Sequence, residues 1–568
     1  MSYIVKNKRK NRVYYYLAES ARVNGKPRII SRKYLGSAEK VANMVTKGIR
    51  LPKAEFSTVL DLGAVLALFD VAERLKIRQI IERHVLKREQ GLPVSDTILL
   101  AAINRAVMPK SKNSFYDWYE KTVLHNCFKE ADKSSLSSQG FWNNMSQLDQ
   151  RTIRAIEDDI TKAVVNKYKV STECLLFDNT NFFTYIDTNN PATLAQRGHS
   201  KEKRSDLKII GLSLMVSPDS NVPLFHETYP GNRNDAKQFS EIIVKLKERY
   251  KKLGIGDCIA TLVFDRGNNS EDNIEDILKD TPLSFHFVGG LKINQCPELL
   301  YIPKKEFKPL KGESFKSTIA YRTSKTVFGR EFTVVMTYNP QLYKSQLQGV
   351  NNNINKCQIR LQELQESLLK WARGEVKKGR KPGVKGVNNS VSTILSAEHM
   401  KDLFEYELKQ AAGFVILSFN FNVDSFEKLK LTELGKSFLF TDRSEWTNEQ
   451  IVGAYRSQYH VEESFKRMKD PEYLSFRPVY HFTDSKIRVH AFYCVLALLL
   501  SSLLNRELVE MGYKISIHRM LDNFQAVQQV ITVFPNDTSY DSNVIISYSC
   551  LQGIAKDYIE KYNLLQYI

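Results

Sequence analysis

Residues 173–178 read ECLLFD and residues 258–265 read CIATLVFD. Each is an apolar run that stops on an acid, at Asp178 and at Asp265. A continuous apolar run of this length marks a strand buried on both faces. An ionised carboxylate at the end of such a strand is costly unless something pairs with it. Working outward, FFTYID (182–187), LKIIGLSLMVS (207–217) and VPLFHETYPG (222–231) also read as strands. DAKQFSEIIVKLKERYKKLG (235–254) has the apolar stripe of an amphipathic helix. Beyond the second acid come a short helix, SEDNIEDILKD (270–280), with Ser270 as its N-cap, and a strand, SFHFVGG (284–290). The order is strand, strand, strand, helix, strand, helix, strand. It predicts a mixed sheet, antiparallel on one side and parallel on the other.

In open α/β sheets, ligands gather beyond the carboxyl ends of the strands. Two acids on neighbouring strands there repel each other. A divalent cation relieves the repulsion, and hard cations such as magnesium take carboxylate oxygens. Taken singly, each aspartate also suits a turn, as Asp178-Asn179-Thr180 and Asp265-Arg266-Gly267-Asn268. Taken together, in this strand order, they point to metal binding.

A two-metal site needs a third carboxylate. The segment NEQIVGAYRSQYHVEESFKRMKD (448–470) reads as one helix. At about 100° per residue, Glu462 shares a face with Ile451, Tyr455, Gln458, Phe465 and Lys469. Glu463 points about 100° away, toward Arg456 and Arg467, and suits an exposed i,i+4 pair. A plain ion pair with Lys466 is the competing reading of Glu462, but it leaves the shared apolar face unexplained.

The rest of the chain sets the context. With 82 Lys and Arg against 63 Asp and Glu, the 568 residues carry a net charge of +19, which points to a polyanionic partner such as nucleic acid. Residues 1–33 hold ten Lys and Arg and one acid, Glu19. They alternate like strands around Asn24-Gly25, a hairpin signal. Lys8, Arg9 and Lys10 make this small sheet a candidate DNA-binding face. Residues 57–165 read as helical. Residues 294–445 read as a β-rich insertion around a helix with apolar positions from Ile354 to Trp371, packed locally rather than as a zipper. A basic, mobile segment (373–390) follows within the insertion. None of the seven cysteines forms a CxxC pair, so a zinc ribbon or thioredoxin-like site has no support. The run CVLALLLSSLL (494–504) is too short to span a bilayer and reads as a buried helix. No membrane association and no small-molecule cofactor are expected.

These residues resemble bacterial insertion-sequence transposases of the Asp-Asp-Glu type, in the branch whose last catalytic helix carries a Tyr-Arg-Glu-Lys signature. The signature falls on Tyr455, Gln458, Glu462 and Lys469, with Gln458 where the branch has arginine. FDNTNFF carries Asp178 and FDRGNNSEDNIEDIL carries Asp265. GHSKEKRSDLK (198–208), PLFHETYPGNRND (223–235) and RPVYHFTDSKIRVHAFYCVLALLL (477–500) are similar to that family as well.

The resemblance implies an α/β fold: an RNase H-like mixed-sheet core interrupted by the β-rich insertion, with an N-terminal β-hairpin and helical region and a helical C-terminal region. The expected divisions are 1–56, 57–168, 169–293, 294–445, 446–482 and 483–568. It further implies that Asp178, Asp265 and Glu462 hold two magnesium ions, with manganese able to substitute. Tyr455, Gln458, Lys469, Lys201 and Arg204 would meet DNA. The implied partners are double-stranded DNA, as transposon ends and target, and a second copy of the chain in a synaptic complex. The implied location is the bacterial cytoplasm, at the nucleoid. Two rivals remain: a catalytically silent repressor derived from a transposase, and a nuclease that cuts without joining.

Overall fold

The computed structural model describes the chain except residues 1, 10–11, 24–25, 48–53, 87–90, 188, 203, 205, 234, 254–259, 281–282, 377 and 535–542. Three antiparallel strands open it: β1 (Ser2–Arg9), β2 (Arg12–Val23) and β3 (Lys26–Ser37). The β2–β3 register closes on Val23 opposite Lys26. The two intervening residues, the expected Asn24-Gly25 turn, lie outside the described residues. Lys8 and Arg9 stand on β1 opposite Val13 and Arg12, and Lys10 is outside the described residues. Strand β4 (Phe56–Asp61) corrects the sequence reading, which began a helix here. Helices follow at Gly63–Arg74, Ile77–His84, Val94–Val107 and Gln150–Tyr168, as expected.

Strands β5 (Cys174–Phe183), β6 (Ile209–Val216) and β7 (Pro223–Pro230) then run antiparallel to one another. A helix, Asp235–Leu253, leads to β8 (Thr261–Phe264), which lies parallel to β5. A second helix, Glu271–Leu278, leads to β9 (His286–Gly290), parallel to β8. Ser270 caps that helix, its hydroxyl accepting from Asn273 N at 3.3 Å. This is the mixed arrangement the sequence order predicts, except that FFTYID is not a separate strand: Phe182 and Phe183 end β5, and residues 184–187 lie outside any strand. Phe239, Ile242, Ile243, Leu246 and Tyr250 form the buried stripe of the first crossover helix. Phe239 sits between Phe177 of β5 and Phe264 of β8, at ring distances of 4.8 and 5.0 Å.

The segment expected as an insertion adds strands to the same sheet. These are β10 (Lys308–Pro309), β11 (Ile319–Val327), β12 (Arg330–Tyr338) and β15 (Lys436–Thr441); the last pairs antiparallel with β9. The sheet order is β10-β11-β12-β15-β9-β8-β5-β6-β7. Between β12 and β15, a long helix (Pro340–Ala372) packs with β13 (Phe404–Ala411), β14 (Phe414–Phe421) and a helix at Val384–Ile394. Cys357, Leu361 and Leu368 are buried in this local core. The helix at 384–394 lies partly in the segment expected to be mobile. Val387 and Val391, one turn apart, are both buried there and hold it in place.

The expected single helix at 448–470 is two: Asn448–Arg456 and Tyr459–Met468. At the joint the bonds tighten to i→i+3, His460 N to Ser457 O at 2.9 Å and Val461 N to Gln458 O at 3.1 Å. The Ser457 hydroxyl donates to Gly453 O, competing with the helix ladder. Helices Asp484–Glu510, Ile517–Gln525 and Gly553–Lys561 follow. The first is long and apolar enough to cross a membrane by length and composition, but 94% of its most apolar window is buried inside the fold. The expected all-helical C-terminal region also contains β16 (Gln528–Val533) and β17 (Val544–Ser549). The β-branched run Val530-Ile531-Thr532-Val533 favours a strand. The sheet order β17-β16-β4 supplies the partner for Phe56–Asp61. Two compact units result: residues 1–62 with 526–551, and residues 63–525 with 552–568. The three candidate acids belong to the second.

Candidate active site

The parallel register of β5 and β8 ends on Leu176 opposite Val263. Carried two residues further, the same offset sets Asp178, within β5, opposite Asp265, just past the carboxyl end of β8. Adjacent strands lie about 4.8 Å apart, so the two acids are neighbours. Asp178 is within β5 and partly buried; Asp265 follows β8 and is exposed. Burial pushes the Asp178 carboxyl up to about 6. The Lys201 cation and the Asn179 N–H oppose that shift, and the negative charges of Asp265 and Glu462 add to it. The three acids thus share one electrostatic site although they come from residues 178, 265 and 462.

The two adjacent glutamates divide in their pairing as helical geometry predicts, but Glu462 is exposed rather than buried with the apolar face, and Glu463 is only partly exposed. Glu463 pairs with Arg467 at 2.7 Å, one turn on. The carboxylate of Glu462 is exposed and has no hydrogen-bond or ion-pair partner among the described residues. The expected alternative, a pair with Lys466, is absent among those residues.

Tyr455 Oη donates to Asp265 Oδ1 at 3.2 Å. Burial raises the phenol's pKa, and the Asp265 charge and hydrogen bond raise it further. Gly290, at the end of β9, leaves room for this contact. A Cβ there would meet Tyr455 Oη at 2.8 Å and Arg266 Cβ at 3.2 Å. Gln458 is buried and donates from Nε2 to Phe177 O at 3.3 Å, fastening the helix joint to β5 beside Asp178. Lys469 caps the helix Tyr459–Met468, and its Nζ donates to Thr180 Oγ1 at 2.9 Å. Lys201 Nζ donates to the Asn179 carbonyl. Arg204 is exposed at the surface, bonded through two nitrogens to Asp206 at 2.9 and 2.8 Å. Sequence reasoning missed Gly290, Arg266, Thr180, Glu202 and Arg477. Gly289-Gly290 at the end of an apolar strand was the one available signal. Of the histidines near the motifs, His226 is buried against Glu157, and His490 is buried between Tyr493 and the Phe476 carbonyl, so both serve packing.

The donor set of the site is three carboxylates with no nitrogen or sulfur ligand, which suits hard divalent cations. Glu462 has no partner among the described residues and its charge, with that of Asp265, acts on the buried Asp178, so the residues fit such ions. A separate exposed group, Asp470, Glu472 and His518, also brings its ligand atoms within 4.8 Å of one another. There His518 is surrounded by acids, with Glu472 at 3.3 Å and Asp522 at 3.1 Å, as in a surface ion-pair network.

A family model of the transposase DDE domain matches residues 175–500, more than half of the chain. The chain belongs to this family. The match begins in β5 and ends in the helix Asp484–Glu510, so it spans Asp178, Asp265 and Glu462. The chain is a DNA transposase, and divalent metal use is general among DDE transposases. No curated protein matches the chain. Among solved structures, the transposase is similar to the piggyBac transposase synaptic complex with hairpin DNA, determined by cryo-EM. The two share 11% identity over 81% of this chain and 78% of that one, with a TM-score of 0.37.

Proposed function

We propose that the chain is the transposase of a bacterial insertion sequence, in the branch with the Tyr-Arg-Glu-Lys signature, built on an RNase H-like core. It binds the terminal inverted repeats of its element, cleaves the ends by phosphodiester hydrolysis and joins the freed 3′-OH ends to target DNA. The observation that supports this reading is that the charges of Asp265 and Glu462 both act on Asp178, whose strand β5 runs parallel beside β8.

Asp178, Asp265 and Glu462 hold two magnesium ions. Bound there, these supply Lewis-acid activation of water and of the incoming 3′-OH, and charge stabilisation at the leaving oxygen. Tyr455 orients the Asp265 carboxylate. Lys469 and Lys201 supply positive charge for the DNA backbone beside the acids, and Arg204 extends it along the surface. Gln458, in the place of the signature arginine, braces the helix joint against β5. The basic sheet β1–β3, with Lys8 and Arg9, grips phosphates without reading sequence. Two ends must be joined together, so the working form is a dimer.

The test is incubation with magnesium and DNA carrying the element's ends. Nicked ends with free 3′-OH groups, followed by joined product, support the proposal. Binding without cleavage indicates a repressor, and cleavage without joining indicates a nuclease.

A further inference from the structure

Glu202 stands among cations. Arg477 Nη1 donates to Glu202 Oε2 at 2.9 Å, and Lys469 Nζ lies 3.9 Å from Oε1. Arg477 Nη2 also donates to the Lys469 carbonyl at 2.9 Å, so the two cations are tied together at the end of the catalytic helix. The neighbouring Lys201 turns the other way, toward the Asn179 carbonyl and Asp178. All three side chains of the cluster are largely buried, with 24%, 24% and 22% of Lys469, Arg477 and Glu202 exposed. Glu202 Oε1 is buried and accepts no hydrogen bond.

A guanidinium and an ammonium converging on the oxygens of one small anion is the arrangement that receives a phosphate. Glu202 offers that anion's geometry but only two oxygens, one of them poorly satisfied. The cluster is next to the acids: Lys469 bonds Thr180, two residues from Asp178 on β5, about 7 Å along the strand.

We infer that Lys469 and Arg477 form a seat for a DNA backbone phosphate and that Glu202 occupies it in the DNA-free protein as an internal stand-in. The inference rests on the transposase reading, since the phosphate belongs to the DNA on which the three acids act. It adds Arg477 as a DNA-contacting residue and makes Glu202 a gate. Duplex binding must first displace Glu202, so the apparent affinity is reduced by the fraction of molecules in which the seat is open. A simple brace between loop and helix would behave oppositely, because losing Glu202 would then loosen the site.

The experiment measures binding of a generic 30-base-pair DNA duplex by fluorescence anisotropy over a range of salt, in the full chain. The variants are Glu202→Gln, Arg477→Met, Lys469→Met and the two double variants containing Glu202→Gln. Glu202→Gln is expected to tighten binding about fivefold and to steepen the salt dependence by about one phosphate contact. In the Arg477→Met or Lys469→Met background, the same change is expected to gain less than about twofold, because the seat it frees is incomplete. Weaker binding by Glu202→Gln, or an equal gain in all backgrounds, overturns the inference and leaves Glu202 a brace or an ordinary repelling charge. If the wild-type chain fails to bind duplex at all, it is the transposase reading that falls.

Discussion

Tyr455 Oη donates to Asp265 Oδ1 at 3.2 Å, tying the helix Asn448–Arg456 to the residue that follows β8. The bond joins the second acid to the element that leads into the third. A hydrogen bond to a charged group contributes about 1.5–3 kcal/mol. Tyr455→Phe is therefore expected to slow single-turnover cleavage about tenfold or more. The ring remains packed, so the melting temperature moves little.

Gly290 makes that bond possible by leaving its Cβ position empty. Gly290→Ala would place a methyl 2.8 Å from Tyr455 Oη and push the phenol off Asp265. Cleavage by Gly290→Ala is expected to fall about as far as in Tyr455→Phe. The double variant is expected to be no worse than Tyr455→Phe alone, since the phenylalanine lacks the clashing oxygen. Additive losses in this cycle would contradict the assignment.

Asp178 makes stability depend on pH in a definite direction. Its carboxyl is raised from 3.8 to about 6 in the fold. The folded state therefore holds this proton more tightly than the unfolded state. The stability it contributes is present below about pH 4 and is lost as pH rises through about 6. The shift is worth on the order of 3 kcal/mol. In chelator-treated protein at pH 7.5, Asp178→Asn is expected to melt higher than wild type, with the difference vanishing near pH 4. Added magnesium is expected to raise the wild-type melting temperature and to move Asp178→Asn much less. Thermal melts across this range check both statements.

The role proposed for the small basic sheet is to grip phosphates without reading sequence. Replacing Lys8 and Arg9 by alanine is expected to reduce the salt slope of duplex binding by about two contacts and to weaken all sequences alike. Anisotropy titrations at several salt concentrations with two unrelated duplexes measure this.

The central sheet and its acids were legible because their signals are local. Apolar runs ending on Asp178 and Asp265 announce buried strands, and the strand–helix order between them makes those strands parallel neighbours, although β5 runs on past Asp178 to Phe183. The division of Glu462 from Glu463 followed from helical spacing and survives the break, because Glu462, Glu463 and Arg467 all lie within Tyr459–Met468. What was not legible depends on partners far away in the chain. Phe56–Asp61 is a strand because Gln528–Val533 pairs with it, and no local pattern carries that. The helix broke at Ser457-Gln458 without a glycine or proline, through a serine back-bond and a glutamine recruited by Phe177. The cluster of Glu202, Lys469 and Arg477 was hidden because 202 and 477 meet only once the sheet and the helix Tyr459–Met468 are assembled.

The most direct test compares Glu462→Gln with Glu463→Gln in cleavage of DNA carrying the element's ends. The two substitutions are chemically identical and adjacent, so only the face they occupy differs. Glu462→Gln is expected to abolish cleavage, with at least a thousandfold loss, on the order of 4 kcal/mol. Glu463→Gln, which loses its pair with Arg467 and weakens a long hydrogen bond from Asn221, is expected to remain within about threefold of wild type. Full activity in Glu462→Gln with loss in Glu463→Gln would contradict the account.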